Sequence, residues 1–587
     1  MNQGAALEGA TKHVREEEMA EVALETQGRT PFLWEGAYPP GVSWDAQIPV
    51  RSMPDMLAQS VARYGNRPCV DFLDKKYTYS EIGALVDRFA KGLQEMGLQR
   101  GQKVGLFLPN TPYAVICYFG ILKAGGIVVN FNPLYAEREI CHMINDSEAD
   151  WMISLDLKVT YDKLARMFGQ TRLKKIIVVP MAGVLPFPKN LLFPFVKKKE
   201  LANIPRDDRH VWFKQIIAND GRPAPVTFDP VNDVAVLQYT GGTTGVPKGA
   251  MLTHHNIAAN ALQATLWFRD ARDGEERMLG VLPLFHVFAM TCVMNLTLLK
   301  GGEMILLPRF ELEQVLQVID KKKPTLFPAV PTIYTAINNF KDVAKYDLSS
   351  INMCNSGGAP LPVEVKAEFE RLTGCSLVEG YGLSESSPIA TINPPHASRP
   401  GSIGLPVPQT QIRIVSLEDR RTEVARGERG EICIIGPQVM KGYWKKEKET
   451  AETLDGDMLH TGDVGYMDEE GYIFIVDRIK DMILAGGYNV YPRNVEEALY
   501  QHPQVAECIV LGVPDPYRGQ TVKAYIKARD GAELTTEELK RFLEDKLSTI
   551  EQPKMYEFRD ELPKTMIGKL SRKALLDELE AERKKAG

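Results

Sequence analysis

The chain has 587 residues, 44% hydrophobic and 25% charged, with a formal net charge of -6. At roughly 100–200 residues per domain it should hold more than one core, and no basic domain emerges to bind nucleic acid. Eight scattered cysteines without a CxxC pair argue for reduced cytosolic thiols rather than a disulfide framework or a zinc site.

In chain order, residues 1–30 lack an apolar signal-peptide core and read as a flexible tail. Apolar β-branched runs then alternate with helical patterns. "KVGLFLP" (103–109), "GIVVNF" (126–131), "DWMISL" (150–155) and "KKIIVVP" (174–180) are predicted strands. "TPYAVICYFGILKAG" (111–125) and "REICHMINDSEA" (138–149) are predicted helices. That rhythm predicts a parallel α/β domain with both sheet faces covered. The patch "LPFPKNLLFPFVKKKE" (185–200) has two readings. One is a surface excursion with a solvated charge run; the other is a peripheral membrane contact, apolar side in lipid and lysines at the headgroups. Its prolines count against a regular amphipathic helix.

"YTGGTTGVPKG", Tyr239 to Gly249, concentrates glycine, threonine and one lysine. Glycines permit positive φ and close backbone approach, and successive amides can form an anion-binding nest. The common NTPase loop has Gly before Lys, a hydroxyl after it and a helix next. Here Pro247 precedes Lys248, Gly249 follows, and "VAVLQY" and "GAML" on either side look like strands. Conventional γ-phosphate chemistry is therefore disfavoured. Met278 to Leu299 carries no charged residue and exceeds the roughly 18 residues that raise the question of a membrane span. Pro283, His286, two threonines and Asn295 interrupt it, so it is read as a buried strand and loop, "VLPLFHV", followed by a core helix. "GSIGLPVPQTQIRIV" and "GEICIIGP" predict a shorter, antiparallel β region. Beyond "VDRIKDMILAGGYNVYP" (476–492) a small α/β domain follows, with helices at "NVEEALYQHP" and "TTEELKRFLEDKL" and strands at "VAECIVLGVPD" and "TVKAYIKA". The predicted domains are 31–477 and a smaller one at 478–587. The terminal "KAG" matches no peroxisomal address, and the expected location is cytoplasmic, or peripheral at the cytoplasmic membrane face.

Five stretches recur in a fixed order: "YTGGTTGVPKGAMLTHHN", "EGYGLSESSP", "LHTGDVGYMD", "VDRIKDMILAGGYNVYP" and "LPKTMIGKLSRK". Together they resemble the adenylate-forming superfamily, from "YTYSEIGALVDRFAKGLQ" to the C-terminus, and within it the bacterial long-chain fatty-acid–CoA ligases. The resemblance implies a large multi-subdomain α/β N-terminal domain with a smaller mobile α/β domain carrying the catalytic lysine. It also implies a two-step reaction: ATP loses pyrophosphate to give an acyl-AMP, and the thiol of coenzyme A then displaces AMP. Mg²⁺ would accompany ATP, and a homodimer is one assembly the family allows.

The resemblance places Thr240, Gly241, Gly242, Thr243, Thr244, Gly245 and Lys248 at the phosphates, and Glu385, with Thr240, at Mg²⁺. Lys569 falls to the carboxylate and α-phosphate oxygens. Gly357, Gly358, Ala359 and Pro360 fall beside adenine, with Glu379, Gly380, Tyr381, Gly382 and Ser384 on the facing run. Tyr381 would stack; Asp463 and Arg478 would hold the ribose. Ser384 stands where Thr is more usual and retains the hydroxyl. His286, Val287 and Gly382 fall at the acid. Gly382 replaces a tryptophan of acetate-type relatives, which leaves room for a chain, and no acid lies in 282–288 to pair an amino group. Gly486, Gly487 and Tyr488 fall at coenzyme A, and Asp477, Arg478, Lys480 and Asp481 at a hinge between half-reactions. Aromatic acids such as coumarate, and an acyl-AMP ligase that loads a carrier protein, stay open as alternatives. So do a lipid-surface binder that has lost catalysis and, least favoured, a transporter built on 278–299.

Overall fold

A computed structural model describes residues 30–240, 247–485, 488–515, 518–529, 531–565 and 569–586. Of the expectations above, those for the tail to residue 29, for Gly241 to Gly245 and for Gly486 and Gly487 lie outside the described residues.

Short buried β-branched runs build the first sheet. Its seven strands lie in the order His210–Trp212, Lys175–Val179, Trp151–Leu155, Lys103–Phe107, Ile127–Asn130, Val234–Thr240 and Lys248–Thr253. All neighbours are parallel except the last pair, where Thr240 faces Lys248 across an antiparallel hairpin. The glycine-threonine loop therefore joins two strands. It does not lead from a strand into a helix, as the sequence patterns on either side suggested.

Helix Pro112–Lys123 is buried on nearly every side, so its apolar residues show no stripe. Two other helices start at side-chain caps. Thr78 and Glu81 exchange bonds at the start of Tyr79–Glu95, and Thr253 and Asn256 do so for His254–Trp267, each satisfying amides the helix cannot.

A second sheet orders Arg277–Gly280, Glu303–Leu306, Pro68–Phe72 and Lys75–Thr78. Bridges through Leu326 connect it to a third, Met353–Ser356, Ser376–Gly382, Ile389–Ile392 and Leu405–Pro406. Strands Gln411–Val415, Gly430–Ile435, Met458–Met467 and Ile473–Arg478 form an antiparallel region. The last sheet, with Ile483–Ala485, Tyr488–Val490, Val505–Asp515, Gly519–Ala528 and Met555–Phe558, belongs to a small lobe with its own apolar cluster. The two parts are joined through a turn in which Arg478 carbonyl accepts from the amides of Asp481 and Met482, each 3.1 Å away.

The charge-free stretch 278–299 lies in the core, and among the described residues no helix is long and apolar enough to cross a membrane. Its strand, Arg277–Gly280, starts before "VLPLFHV", whose residues form a loop instead. The helix that follows includes a wide π-type turn over Met290–Asn295 before closing at Lys300.

Polar side chains fix the 281–286 loop from both sides. Asn110, at the end of strand Lys103–Phe107, donates to the carbonyls of Gly280 (3.2 Å) and Leu282 (2.8 Å) and accepts from Leu284 amide (2.7 Å). Gln238 donates to Phe285 carbonyl at 3.1 Å and is itself held by Asn130 at 3.0 Å. Replacing Asn110 by alanine strands buried carbonyls and an amide. The expected loss is about 2–4 kcal/mol of stability, read as a lowered midpoint in urea unfolding. An unchanged midpoint would show that the loop is held by other contacts.

Candidate active site

A cavity of about 1050 Å³ lies where the C-terminal ends of the seven-stranded sheet meet strands 376–392 and the small lobe. Of the residues singled out from the sequence, Thr240, Lys248, His286, Val287, Gly357, Gly358, Gly380, Tyr381, Gly382, Ser384, Glu385, Arg478, Lys480 and Lys569 line it. Ala359, Pro360, Glu379, Asp463, Asp477 and Asp481 do not; the side chain of Tyr488 lies outside what the structure describes.

Lys569 comes from the far end of the chain. Its amide donates to Thr565 Oγ1 at 3.1 Å, and Lys564 bridges Leu570, which fixes the backbone from which its side chain extends. The ammonium reaches over Gly358, whose φ of +84° suits glycine; a Cβ there would sit 2.9 Å from Lys569 Nζ. Burial, reinforced by the Arg478 charge, pulls the lysine down to about 8, while Asp463 acts in the opposite sense.

His286 caps the short turn at Val287–Ala289, its Nδ1 accepting from Phe288 amide at 3.2 Å. That bond assigns the proton to Nε2. Burial, then the Lys569 charge, lowers the ring to about 3, so it is a neutral donor at physiological pH. Val287 and Phe288 add apolar wall, and the Phe288 ring would lie 3.2 Å from a Cβ on Gly357.

On the phosphate side, Lys248 Nζ sits 4.5 Å over the ring of Tyr443, a favourable cation–π arrangement. Tyr443 hydroxyl donates to Glu385 Oε1 at 2.6 Å. Sequence reasoning missed Tyr443; as one of 21 tyrosines it carries no local signal. Glu385 keeps its second oxygen and Thr240 its hydroxyl at the same cavity, a hard-oxygen pair that suits Mg²⁺.

Asp463 lies just behind the wall. One of its oxygens accepts from Tyr381 hydroxyl at 2.6 Å, the other pairs with Arg478 Nε at 2.9 Å. Each oxygen retains a lone pair, and Tyr381 is tied edge-on to this acid as well as facing the cavity. Glu379 is buried deeper, its Oε1 accepting from Leu361 amide at 3.3 Å. Burial raises it to about 7, against the pull of Arg493 from the small lobe.

Gly382 lines the cavity, as expected. A Cβ on it would run into the Pro388 carbonyl, at the register shift between Tyr381 and Gly382, so in this backbone the adjoining strand also demands glycine there.

A second network missed from sequence is Arg420, Glu431 and His460. Arg420 holds both oxygens of Glu431, at 2.8 and 3.0 Å, and Gly462 amide donates to the same carboxylate at 3.0 Å. His460 Nδ1 lies 3.0 Å away. Glu431, Cys433 and His460 have metal-ligand chemistry within 4.8 Å, but the bidentate arginine already neutralises the acid. Its role here is to fix the turn that precedes Asp463.

A nucleotide-sized cavity spanning two lobes, with a lysine from one facing a glycine loop of the other, defines an adenylate-forming enzyme. The profile of the AMP-binding enzymes matches residues 57–444, and that of the AMP-binding enzyme C-terminal domain matches 494–569. The chain is 46% identical to the long-chain-fatty-acid–CoA ligase of Bacillus subtilis (strain 168), over 94% of this chain and 98% of that one. The chain therefore belongs to the AMP-binding enzyme family. Among solved structures it resembles the anthranilate CoA ligase AuaEII in complex with anthranoyl-AMP (TM-score 0.81, 26% identity, 91% and 98% of the two chains). It also resembles ATP-bound MatB from Rhodopseudomonas palustris (TM-score 0.78, 27% identity, 89% and 98%).

If the Lys569 ammonium is the active form, kcat/KM for ATP in acyl-AMP formation should fall as pH rises through about 8, approaching tenfold per pH unit above it. His286, already neutral, adds no limb in the ordinary histidine range. Lys569→Arg should flatten the alkaline limb. An activity that climbed through the same range would make neutral lysine the working form.

Proposed function

We propose that the protein is an ATP-dependent fatty acyl–CoA ligase. In the first half-reaction a carboxylate oxygen attacks the α-phosphorus of ATP, the bond to the β-phosphate breaks, and pyrophosphate leaves. In the second, the thiol sulfur of coenzyme A attacks the acyl carbon as its proton is lost, and the carbon–oxygen bond to AMP breaks.

The observation that carries this reading is the placement of Lys569 Nζ over Gly358, beside Arg478 and His286. Two anions must meet in the first step, and a preorganised cation offsets their repulsion in the transition state by several kcal/mol. Lys569 is the group for the carboxylate and α-phosphate, Lys248 for the leaving phosphates. Neutral His286 donates without adding charge to the acid's pocket. Asp463 and Arg478 hold the ribose, and Gly357 and Gly358 lie along adenine. With Mg²⁺ bound through Glu385 and Thr240, the ion would screen the phosphate charges.

The acid is assigned as a long-chain fatty acid. The support is the 46% identity to the Bacillus subtilis ligase, together with an apolar wall that includes Leu282, Val287, Phe288, Val330 and Ile389. Coenzyme A is assigned to the other orientation of the small lobe. Here Lys569 reaches the cavity, the arrangement expected for adenylation. The 478–482 turn is where the lobe would swing, with domains at 31–477 and 478–587.

Product analysis tests the reading. Given Mg²⁺-ATP and acids from acetate to oleate plus coumarate, the protein should release AMP and pyrophosphate fully only with a long-chain acid and coenzyme A. Lys569→Ala should lower acyl-AMP formation by about a hundredfold or more, while thioester formation from supplied acyl-AMP stays within a few-fold. Equal loss in both steps would sink the split role. Preference for coumarate would move the substrate to aryl acids, and AMP release indifferent to coenzyme A would favour carrier-protein loading.

A further inference from the structure

Residues 180–201 leave the seven-stranded sheet and return to it. The excursion begins where strand Lys175–Val179 ends. It rejoins at the end of Trp151–Leu155, where Lys158 amide donates to Glu200 carbonyl and Ala202 amide to Asp156 carbonyl, each at 2.9 Å. Between these anchors lies a helix, Lys189–Val196, that contains Pro194 and has no buried residue. The prolines that argued against a helix are accommodated at its N-cap, Pro188, and in a single exposed final turn.

This short element exposes apolar side chains that a water-facing surface has no use for. Phe187 is 79% exposed, Phe195 80%, Val196 74%, Leu191 59% and Leu192 54%. Single exposed apolar residues are ordinary; five within ten positions form a patch. Only Phe193 turns inward to the main core. The patch is nevertheless held in place. Lys75 Nζ donates to Gly183 carbonyl at 2.7 Å, and Lys189 pairs with Asp74 at 3.7 Å.

Charge identifies the occupant. Lys197, Lys198 and Lys199 follow the helix directly and are exposed. Lys197 pairs with Glu200 at 2.7 Å; Lys198 and Lys199 form no ion pair among the described residues. An apolar tip bordered by unpaired ammonium groups matches the interface of an anionic bilayer, with acyl chains below and phosphates above. A second copy of the chain would have to meet those lysines with like charge, on a patch too small for a stable interface on its own.

We propose that 187–199 is a docking surface for an anionic lipid bilayer. Its position gives it a use. Asn130, Gln238 and Thr240, at the C-terminal ends of strands of the same sheet, line the cavity. Strand Lys175–Val179 is three places from Ile127–Asn130, about 14 Å at the usual strand spacing. The patch and the cavity therefore share one sheet edge. Delivery of a membrane-held fatty acid to that edge rests on the proposed function; the docking itself does not.

The test is flotation of the full-length protein, without substrates, on phosphatidylcholine vesicles with and without phosphatidylglycerol, at low and high salt. The protein should float with the anionic vesicles and be released by salt. Leu191→Ser with Phe195→Ser should weaken binding by at least about tenfold. Lys198→Glu with Lys199→Glu should do so by a similar factor and flatten the salt response, each lysine near an anionic surface being worth about fivefold. Acyl-AMP formation from water-soluble octanoate should be unchanged in both variants, which reports folding independently of docking. Absence of vesicle binding, or binding that ignores lipid charge and both variants, would overturn the proposal. So would a dimer in sedimentation equilibrium that the apolar variant breaks. Loss of ligase activity with vesicle binding intact would instead count against the proposed function alone.

Discussion

A buried ammonium beside a second cation holds its proton less firmly than one in water, and nearby negative charge restores that hold; this balance links both lobes of the protein. Lys569 faces Arg478 as well as Asp463, so burial and like charge both work against its protonation. Opposite charges about 4 Å apart near a protein surface attract by about 4 kcal/mol. A polyphosphate arriving in the cavity would therefore hold the lysine protonated and the small lobe in place together. Once pyrophosphate departs, much of that attraction departs with it, and the same repulsion between Lys569 and Arg478 favours withdrawal. On the proposed reading, the electrostatics would couple lobe position to the charge of the nucleotide.

The joint between the lobes is built to permit this. Asp477 is buried at the end of strand Ile473–Arg478, its carboxylate accepting from the amides of Arg478 and Arg493, both at 2.7 Å. Arg572, near the C-terminus, lies 3.8 Å from Asp477, 3.4 Å from Asp481 and 2.6 Å from Glu496. These acids hold its guanidinium charged in spite of burial. The Asp477 contacts of Arg493 and Arg572 thereby tie the small lobe across the 478–482 turn to the strand before it, and on the proposed reading any bending would fall on the few residues between. On the other side Arg478 pairs with Asp463 across the sheet. Arg478 belongs to the joint and also lines the cavity, so on the proposed reading a swing of the lobe would also remake the ribose side of the site.

The parallel strands were legible because strands covered on both faces must be apolar at nearly every position, and "KIIVV" or "WMISL" read as little else. The glycine-threonine hairpin was legible for the opposite reason, its turn residues being flanked by two strand patterns. What failed was local. In 278–299 the apolar composition does not distinguish strand from loop, and the strand proved to be Arg277–Gly280 because Leu306 and Leu326 pair with it there. At Gly382 the sequence pointed to substrate room but not to the second constraint, the Pro388 carbonyl of the adjoining strand. Tyr443 and Glu431 left no trace, since a tyrosine beside a carboxylate and an arginine beside a glutamate exist only once distant segments converge.

That convergence also explains how one cavity can accept a long apolar chain and a triphosphate. The polar demands are met by side chains already committed to partners: Glu385 to Tyr443, Asp463 to Tyr381 and Arg478, Glu431 to Arg420. Each holds its orientation before a ligand arrives, so little reorganisation is required. The apolar demand falls on the 281–286 loop, which Asn110 and Gln238 grip from the sheet edge through its backbone. The grip uses carbonyls and an amide, while Val281, Leu282 and Leu284 of the loop pack into the core. At about 0.8 kcal/mol per buried methylene, changes at Leu282, Val287 or Phe288 could tune chain length while the nucleotide side stays the same.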